Sequence, residues 1–248
     1  MNIPTTNPIM NAIVLMMIMV VVVVDAAGDS NNGFHPCLDT KIQRSDGFTF
    51  GIVFNSKESF SLNNNNSLQL SPCDSRLDLK NKNSRVAVFR PKVDEISLLT
   101  INTSSFDPNS FGGYMVAFAG RKYAARSVPV FVADGNHIVT SFTLVLEFQK
   151  GTLQNLFWKN DKCDSCKGMP NFVCIQNRYC AIKKTSCKSS GQGKVDCSLG
   201  IQLAFSGTDK HLSALNSWYE VEKLRQYSLY KLYSNLRGSL TDQFNKFF

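Results

Sequence analysis

The sequence predicts a mainly β protein of the α+β class: a β-sandwich-like domain with a disulfide-rich insertion and a long C-terminal amphipathic helix. Three observations carry this reading. Short apolar runs with period-two alternation fill residues 34–158 without a helical stretch between them. Six of eight cysteines gather in one polar segment. After Asp209 the apolar spacing lengthens to that of a helix. The implied boundaries are residues 1–27 for a leader, 28–158 for the β-rich part, 159–198 for a basic insertion, and 199–248 for a returning strand and helix.

Residues Ala12 to Val24 are uninterruptedly apolar, too short a run to cross a bilayer comfortably, which takes about 20 helical residues. Small residues follow at once in Asp25-Ala26-Ala27-Gly28 and supply cleavage points, the pattern of a secretory signal peptide. No Lys or Arg precedes the run, which keeps an uncleaved anchor as the alternative. The expectation is export to the extracellular space, a cell wall or apoplast, with the endomembrane system as second choice.

The strands read as follows. Phe48, Phe50, Ile52 and Phe54 alternate in GFTFGIVF, Val86 and Val88 in RVAVF, and Phe142, Leu144, Leu146 and Phe148 in SFTLVLEF. ISLLTI, GYMVAFAG and VPVFVA are further strands. The turn formers Asp134-Gly135-Asn136 join the last of these to HIVTSFTLVLEF as a hairpin.

All eight cysteines, Cys37, Cys73, Cys163, Cys166, Cys174, Cys180, Cys187 and Cys197, lie after the leader. An even count in an exported chain reads as disulfides. Zinc would want a second close pair beside the C-x-x-C of Cys163 and Cys166, and no histidine lies between Cys163 and Cys197. Thioredoxin-type chemistry would want a helix after Cys166, where Lys-Gly-Met-Pro stands instead. Cys37 and Cys73 most simply pair, closing a loop worth on the order of 3–4 kcal/mol. The other six form three bridges of open connectivity. Asn65 and Asn102 head glycosylation sequons that suit the same compartment.

Beyond the cysteines, Ile201, Leu203 and Phe205 alternate again as a returning strand. From Asp209 onward a helix of about 30 residues is expected, capped by Thr208 or Asp209. Its stripe includes Leu215, Trp218, Val221, Leu229, Leu232, Leu236 and Phe244, with Glu222 and Arg225 as an edge pair. Such a stripe ordinarily covers the β-domain.

The formal net charge is +8, and residues 161–197 carry seven Lys or Arg against three Asp. Arg121, Lys122 and Arg126 form a second basic cluster, and Arg76 to Lys92 a third. For an exported chain the natural anionic partners are an acidic polysaccharide, lipid headgroups or an acidic protein rather than nucleic acid, with membrane contact left open but not favoured. Ordinary solubilising charge is the simpler explanation of the same residues. Catalytic signals are sparse. His35, His137 and His211 are the three histidines, and Asp134 beside His137 is explained by the turn. Dispersed carboxylates of a carbohydrate-active enzyme need no sequence proximity, and Glu95 and Glu147 lie in or beside strands, but nothing singles them out. Trp158 ends a strand and reads as packed rather than as a sugar platform. No cofactor or metal set emerges, and no residue is assigned a catalytic role.

The runs FGGYMVAFAGRKYAARSVPVFVADG and LAFSGTDKHLSALNSWYEVEKLRQYSLYKLYSNLRGSL resemble an uncharacterised family of plant secretory-pathway proteins. That resemblance implies a plant source, export, and a cell-wall or endomembrane location; the family carries no established activity, so no catalytic residue transfers. The reading of the whole is a secreted, non-enzymatic binding protein for an anionic cell-wall polysaccharide, with a carbohydrate-active enzyme or a membrane-associated secretory-pathway protein as alternatives.

Overall fold

The computed structural model describes residues 28–62, 68–77, 79, 83–122, 124–159, 163, 166, 168, 169, 171–188 and 195–224. Residues 1–27, on which the expected leader falls, Asn65, and the chain beyond Leu224 lie outside the described residues. The described chain is mainly β and folds into three sheets. In chain order the strands are β1 (Phe50–Asn55), β2 (Arg85–Phe89), β3 (Ser97–Ile101), β4 (Tyr114–Ala119), β5 (Ala125–Arg126), β6 (Val130–Phe131), β7 (His137–Val139), β8 (Ser141–Gln149), β9 (Thr152–Lys159), β10 (Phe172–Ile175), β11 (Tyr179–Lys183), β12 (Leu199–Thr208) and β13 (Ala214–Leu215). A helix, α1, spans Ser217–Leu224.

The first sheet runs β2-β1-β4-β5, with β6 also on β4, and is antiparallel throughout. Phe50, Ile52 and Phe54 of β1 point into the main core, while Val53 joins Phe60, Val116 and Phe118 in a small cluster on the opposite face. Pro129 lies between β5 and β6, where a strand cannot continue its ladder. At the break the Ser127 hydroxyl accepts the Ala117 N–H at 2.9 Å, replacing a missing main-chain acceptor.

The third sheet runs β13-β12-β8-β9, with β3 also on β12. Parallel pairing of β12 with β8 forms its centre, and Leu144, Leu146, Phe148, Leu203 and Phe205 are buried there. Lys150 and Gly151 alone connect β8 to β9, both with positive φ (50° and 76°), as a two-residue hairpin turn of matching twist requires. A Cβ on Gly151 would lie 2.6 Å from the Ile42 carbonyl oxygen, so only glycine fits. The faces of the first and third sheets share one core: the Phe48 and Phe148 rings meet edge to face at 5.1 Å.

The second sheet, β10-β11-β7, carries the cysteine-rich segment onto that core through Ala181, Ile182, Cys187 and Cys197. The four bridges are Cys37–Cys73, Cys163–Cys174, Cys166–Cys180 and Cys187–Cys197, and all eight cysteines are paired. The C-x-x-C pair therefore does not close on itself. Its two members reach separately to either side of the β10–β11 hairpin, where Cys174 and Cys180 are cross-strand partners.

Several elements differ from the sequence expectation. The Asp134–Asn136 turn is present: its carboxylate accepts the N–H groups of Asn136 (2.7 Å) and His137 (2.6 Å). The long strand read after it is two strands in two sheets, parted at Thr140, whose carbonyl accepts the Gly200 N–H. Val86 and Val88 alternate as expected but face outward, because their partners on β1 are Val53 and Gly51. The helix does not begin at Asp209. That carboxylate accepts N–H groups from Arg44, His211 and Ser213, folding a turn that leads into β13, and Leu215 is buried as a strand residue. The helix starts at Ser217, and the stripe from Leu229 onward, with Arg225, lies outside the described residues. No helix among the described residues is long and apolar enough to cross a membrane.

The amino-terminal segment is tied down by Arg90. Its guanidinium donates to the Asp29 carboxylate (2.6 Å), the Gly33 carbonyl (2.6 Å), the Thr49 hydroxyl (2.8 Å) and the Asn31 carbonyl, and it stacks 4.2 Å from the Phe34 ring.

Candidate binding groove

The loop between β3 and β4 reads NTSSFDPNSFGG, a polar, turn-forming stretch that nevertheless contains two phenylalanines. Asp107 starts a 3₁₀ turn over Pro108–Phe111 by accepting the Asn109 N–H, and Gly112 ends it in the left-handed conformation (φ 88°). This turn brings the Phe106 and Phe111 rings together, stacked at 5.2 Å and 19°. Phe54, from the end of β1, meets Phe106 edge to face at 4.8 Å. Two phenylalanines thus remain half-buried on a loop, instead of vanishing into the core.

They line an open groove of about 550 Å³ beside the start of β2 and the end of β3. Arg85, Val86 and Ala87 form one wall, Ile101 the other, and Ser105, Asp107 and Ser110 lie along its length. The Arg85 guanidinium sits 5.4 Å from the centre of the Phe111 ring, a cation–π contact at the rim. A second cleft, of about 400 Å³, continues past Ser105, Phe106 and Asp107 to Thr103, Ile138, Lys184 and the Cys187–Cys197 bridge. The Lys184 ammonium pairs with Asp107 at 2.8 Å, joining the cysteine-rich segment to the loop. The Thr103 hydroxyl donates to the Cys197 carbonyl at 3.1 Å, so the disulfide also anchors the loop's start.

Asp107 is the carboxyl group both clefts share, and Glu95 and Glu147 are not among their lining residues. Glu95 pairs with Lys92 at 3.5 Å, and Glu147 is exposed on β8. The three histidines are dispersed. His35 Nδ1 accepts the Cys37 N–H, His137 opens β7 beside Asp134, and His211 Nε2 lies 3.3 Å from the Gln43 side chain. Among the described residues no group of three or more His, Cys, Asp or Glu could hold a metal. Trp158 is packed: it meets Phe142 at 5.8 Å, and its indole N–H donates to Ser127 Oγ at 2.8 Å. Asn102 is exposed, and its side-chain oxygen accepts both the Ser104 N–H (2.8 Å) and the Ser104 hydroxyl (2.6 Å).

The basic clusters read from sequence divide between structural and open roles. Arg126 donates to the Gln69 carbonyl, and Arg76 pairs with Asp74. Arg90 holds the amino-terminal segment. Arg85 is the member of the third cluster that borders the groove. Charge counting could not single it out; its place at the head of an edge strand beside a phenylalanine-bearing loop does.

No curated protein and no solved structure matches the chain. One family model matches it over residues 9–137 and again over 127–247, together nearly its whole length. The chain belongs to the family described as Uncharacterised protein DDB_G0273449.

Proposed function

We propose that this is a secreted, non-enzymatic binding protein whose groove takes an anionic polysaccharide of a plant cell wall. The observation that carries the reading is Arg85 beside the stacked Phe106–Phe111 pair in an open groove. Ring faces pack against the C–H faces of sugar rings, and a guanidinium forks onto a uronic-acid carboxylate. A groove open along its length suits a polymer better than the enclosed cavities that small ligands favour. The adjoining cleft, with Lys184, extends the same path by further sugar units.

The compartment belongs to the same proposal. Four disulfides fit an oxidising environment. The Arg90 clasp begins at Asp29, directly after Ala26-Ala27-Gly28, so a chain cut there keeps every clasp contact. Asn102, exposed on a tight turn with its Ser104 hydroxyl in place, and Asn65 are the proposed glycosylation sites. A sandwich of the first and third sheets, covered by a long C-terminal helix, completes the architecture proposed.

Retention on immobilised polygalacturonate tests this. The wild type is expected to bind at about 50 mM salt and elute by about 0.5 M, as screened charge contacts do. Arg85→Ala and Phe111→Ala should each weaken retention several-fold. Equal retention of wild type and both variants, or none by any, sinks the reading.

A further inference from the structure

The strand β2 is the outer strand of the first sheet, and among the described residues nothing pairs with its free side. Its sequence, RVAVF, has no proline and no charge after Arg85. Edge strands in monomers are ordinarily blunted by inward charges, proline or a bulge, because their unpaired N–H and C=O groups recruit other strands. This one is regular against β1 from Arg85 to Phe89 and leaves Val86 and Val88 56 % and 52 % exposed on one face.

We infer that β2 is an interface between two copies of this chain, paired antiparallel about a twofold axis through Ala87. The strand is self-complementary in that register. Ala87 lies opposite its own counterpart, and Val86 lies opposite Val88 of the partner subunit, so the exposed valines of both copies cover each other. On the other face Arg85 lies opposite Phe89 of the partner subunit, an aromatic instead of a second cation. No like charges meet, which an isologous contact needs. A one-residue slip would set valines against the opposite face and lose this match. Arg85 to Ala87 also form a groove wall, so pairing brings Phe89 of the partner subunit to each groove's rim. The pairing itself does not depend on what the groove binds.

The full secreted protein should sediment at twice the chain mass at about 100 µM and dissociate on dilution, as a small interface does. Val88→Lys, a change at an exposed position, should weaken the dimer at least tenfold, with an unchanged melting temperature at dilutions where both proteins are monomeric. Because all eight native cysteines are paired, Ala87→Cys introduces a lone thiol, and on mild oxidation it should link into a covalent dimer. Arg85→Cys, which faces Phe89 of the partner subunit, should not. A monomer at every concentration overturns the inference. So does a dimer indifferent to Val88→Lys, a dimer in which Arg85→Cys links and Ala87→Cys does not, or open-ended assembly beyond the dimer.

Discussion

The Asp94 carboxylate caps helix α1 from across the fold: its Oδ1 accepts the Ser217 N–H at 2.9 Å and the Asn216 N–H at 2.6 Å. Its Oδ2 lies 3.0 Å from Arg44 Nε, close enough to pair as ions although that N–H is not aligned to make a hydrogen bond. The Asp94 side chain is almost fully buried. A helix beginning only at Ser217 thus has its first free amides satisfied by a residue in the β2–β3 connection. Ser217 completes the joint by accepting the Phe205 N–H from β12 at 2.8 Å.

Removing this cap should be costly. Asp94→Ala is expected to lose about 2 kcal/mol, the cap together with the cost of buried unpaired amides. For a chain of this size that is about 4–8 °C in melting temperature by calorimetry. Asp94→Asn keeps an oxygen for the two amides and should lose less. Equal losses for the two variants would show that the ion pair with Arg44, not the cap, carries the effect.

Much of the β-domain was legible because alternation and burial share one cause. Phe50, Ile52 and Phe54 point into the core, as their spacing required. The isolated pair Cys37 and Cys73 bridge, and the other six cysteines pair within residues 163–197. What alternation cannot show is which sheet a strand joins. His137–Val139 and Ser141–Gln149 read as one run because Thr140 is itself a good strand former; the break is imposed by non-local pairing with β11 and β12. Asp209 looked like a helix cap because an Asp suits a helix start and a tight turn alike. The groove was illegible for another reason. Phe106 and Phe111 come from a loop, Arg85 from a distant strand and Lys184 from the cysteine-rich segment, and only the fold brings them together.

Acid should destabilise the protein through hydrogen-bonded carboxylates, the buried Asp209 and the exposed Asp29. Burial alone would raise the pKa of Asp209, but N–H groups of Arg44, Ser213 and His211 outweigh it and hold the group below its ordinary value. Asp29 follows the same pattern: burial is outweighed by the Arg90 guanidinium and the Gly47 and Asn31 amides. With folded values below the unfolded ones, the stabilisation is fully present above about pH 4 and is lost as pH falls through the folded values. Urea midpoints should therefore be level above about pH 5 and drop as the pH is taken below about 4. Asp209→Asn should lower the midpoint at neutral pH and flatten the acid slope. A midpoint that stays flat below about pH 4 contradicts this.

The Cys37–Cys73 bridge packs beside the cluster of Val53, Phe60, Val116 and Phe118 and spans 36 residues of sequence. Replacing both cysteines by alanine should cost about 3–4 kcal/mol, chiefly by freeing the unfolded chain. The melting temperature should fall by about 6–16 °C, while the other three bridges remain intact by mass spectrometry. A fall of less than about 2 °C would mean that the hydrophobic cluster alone holds that face.

The groove reading is tested most directly by mapping where an acidic sugar chain touches the protein. Oligogalacturonate titrated into isotope-labelled protein should move the resonances of Arg85, Phe106 and Phe111 first, with Asp107 and Lys184 following as longer oligomers reach the second cleft. Arg85→Ala should abolish the saturable part of the change. Shifts confined to exposed cations remote from the groove, such as Lys150, or no saturable shift at all, would contradict the account.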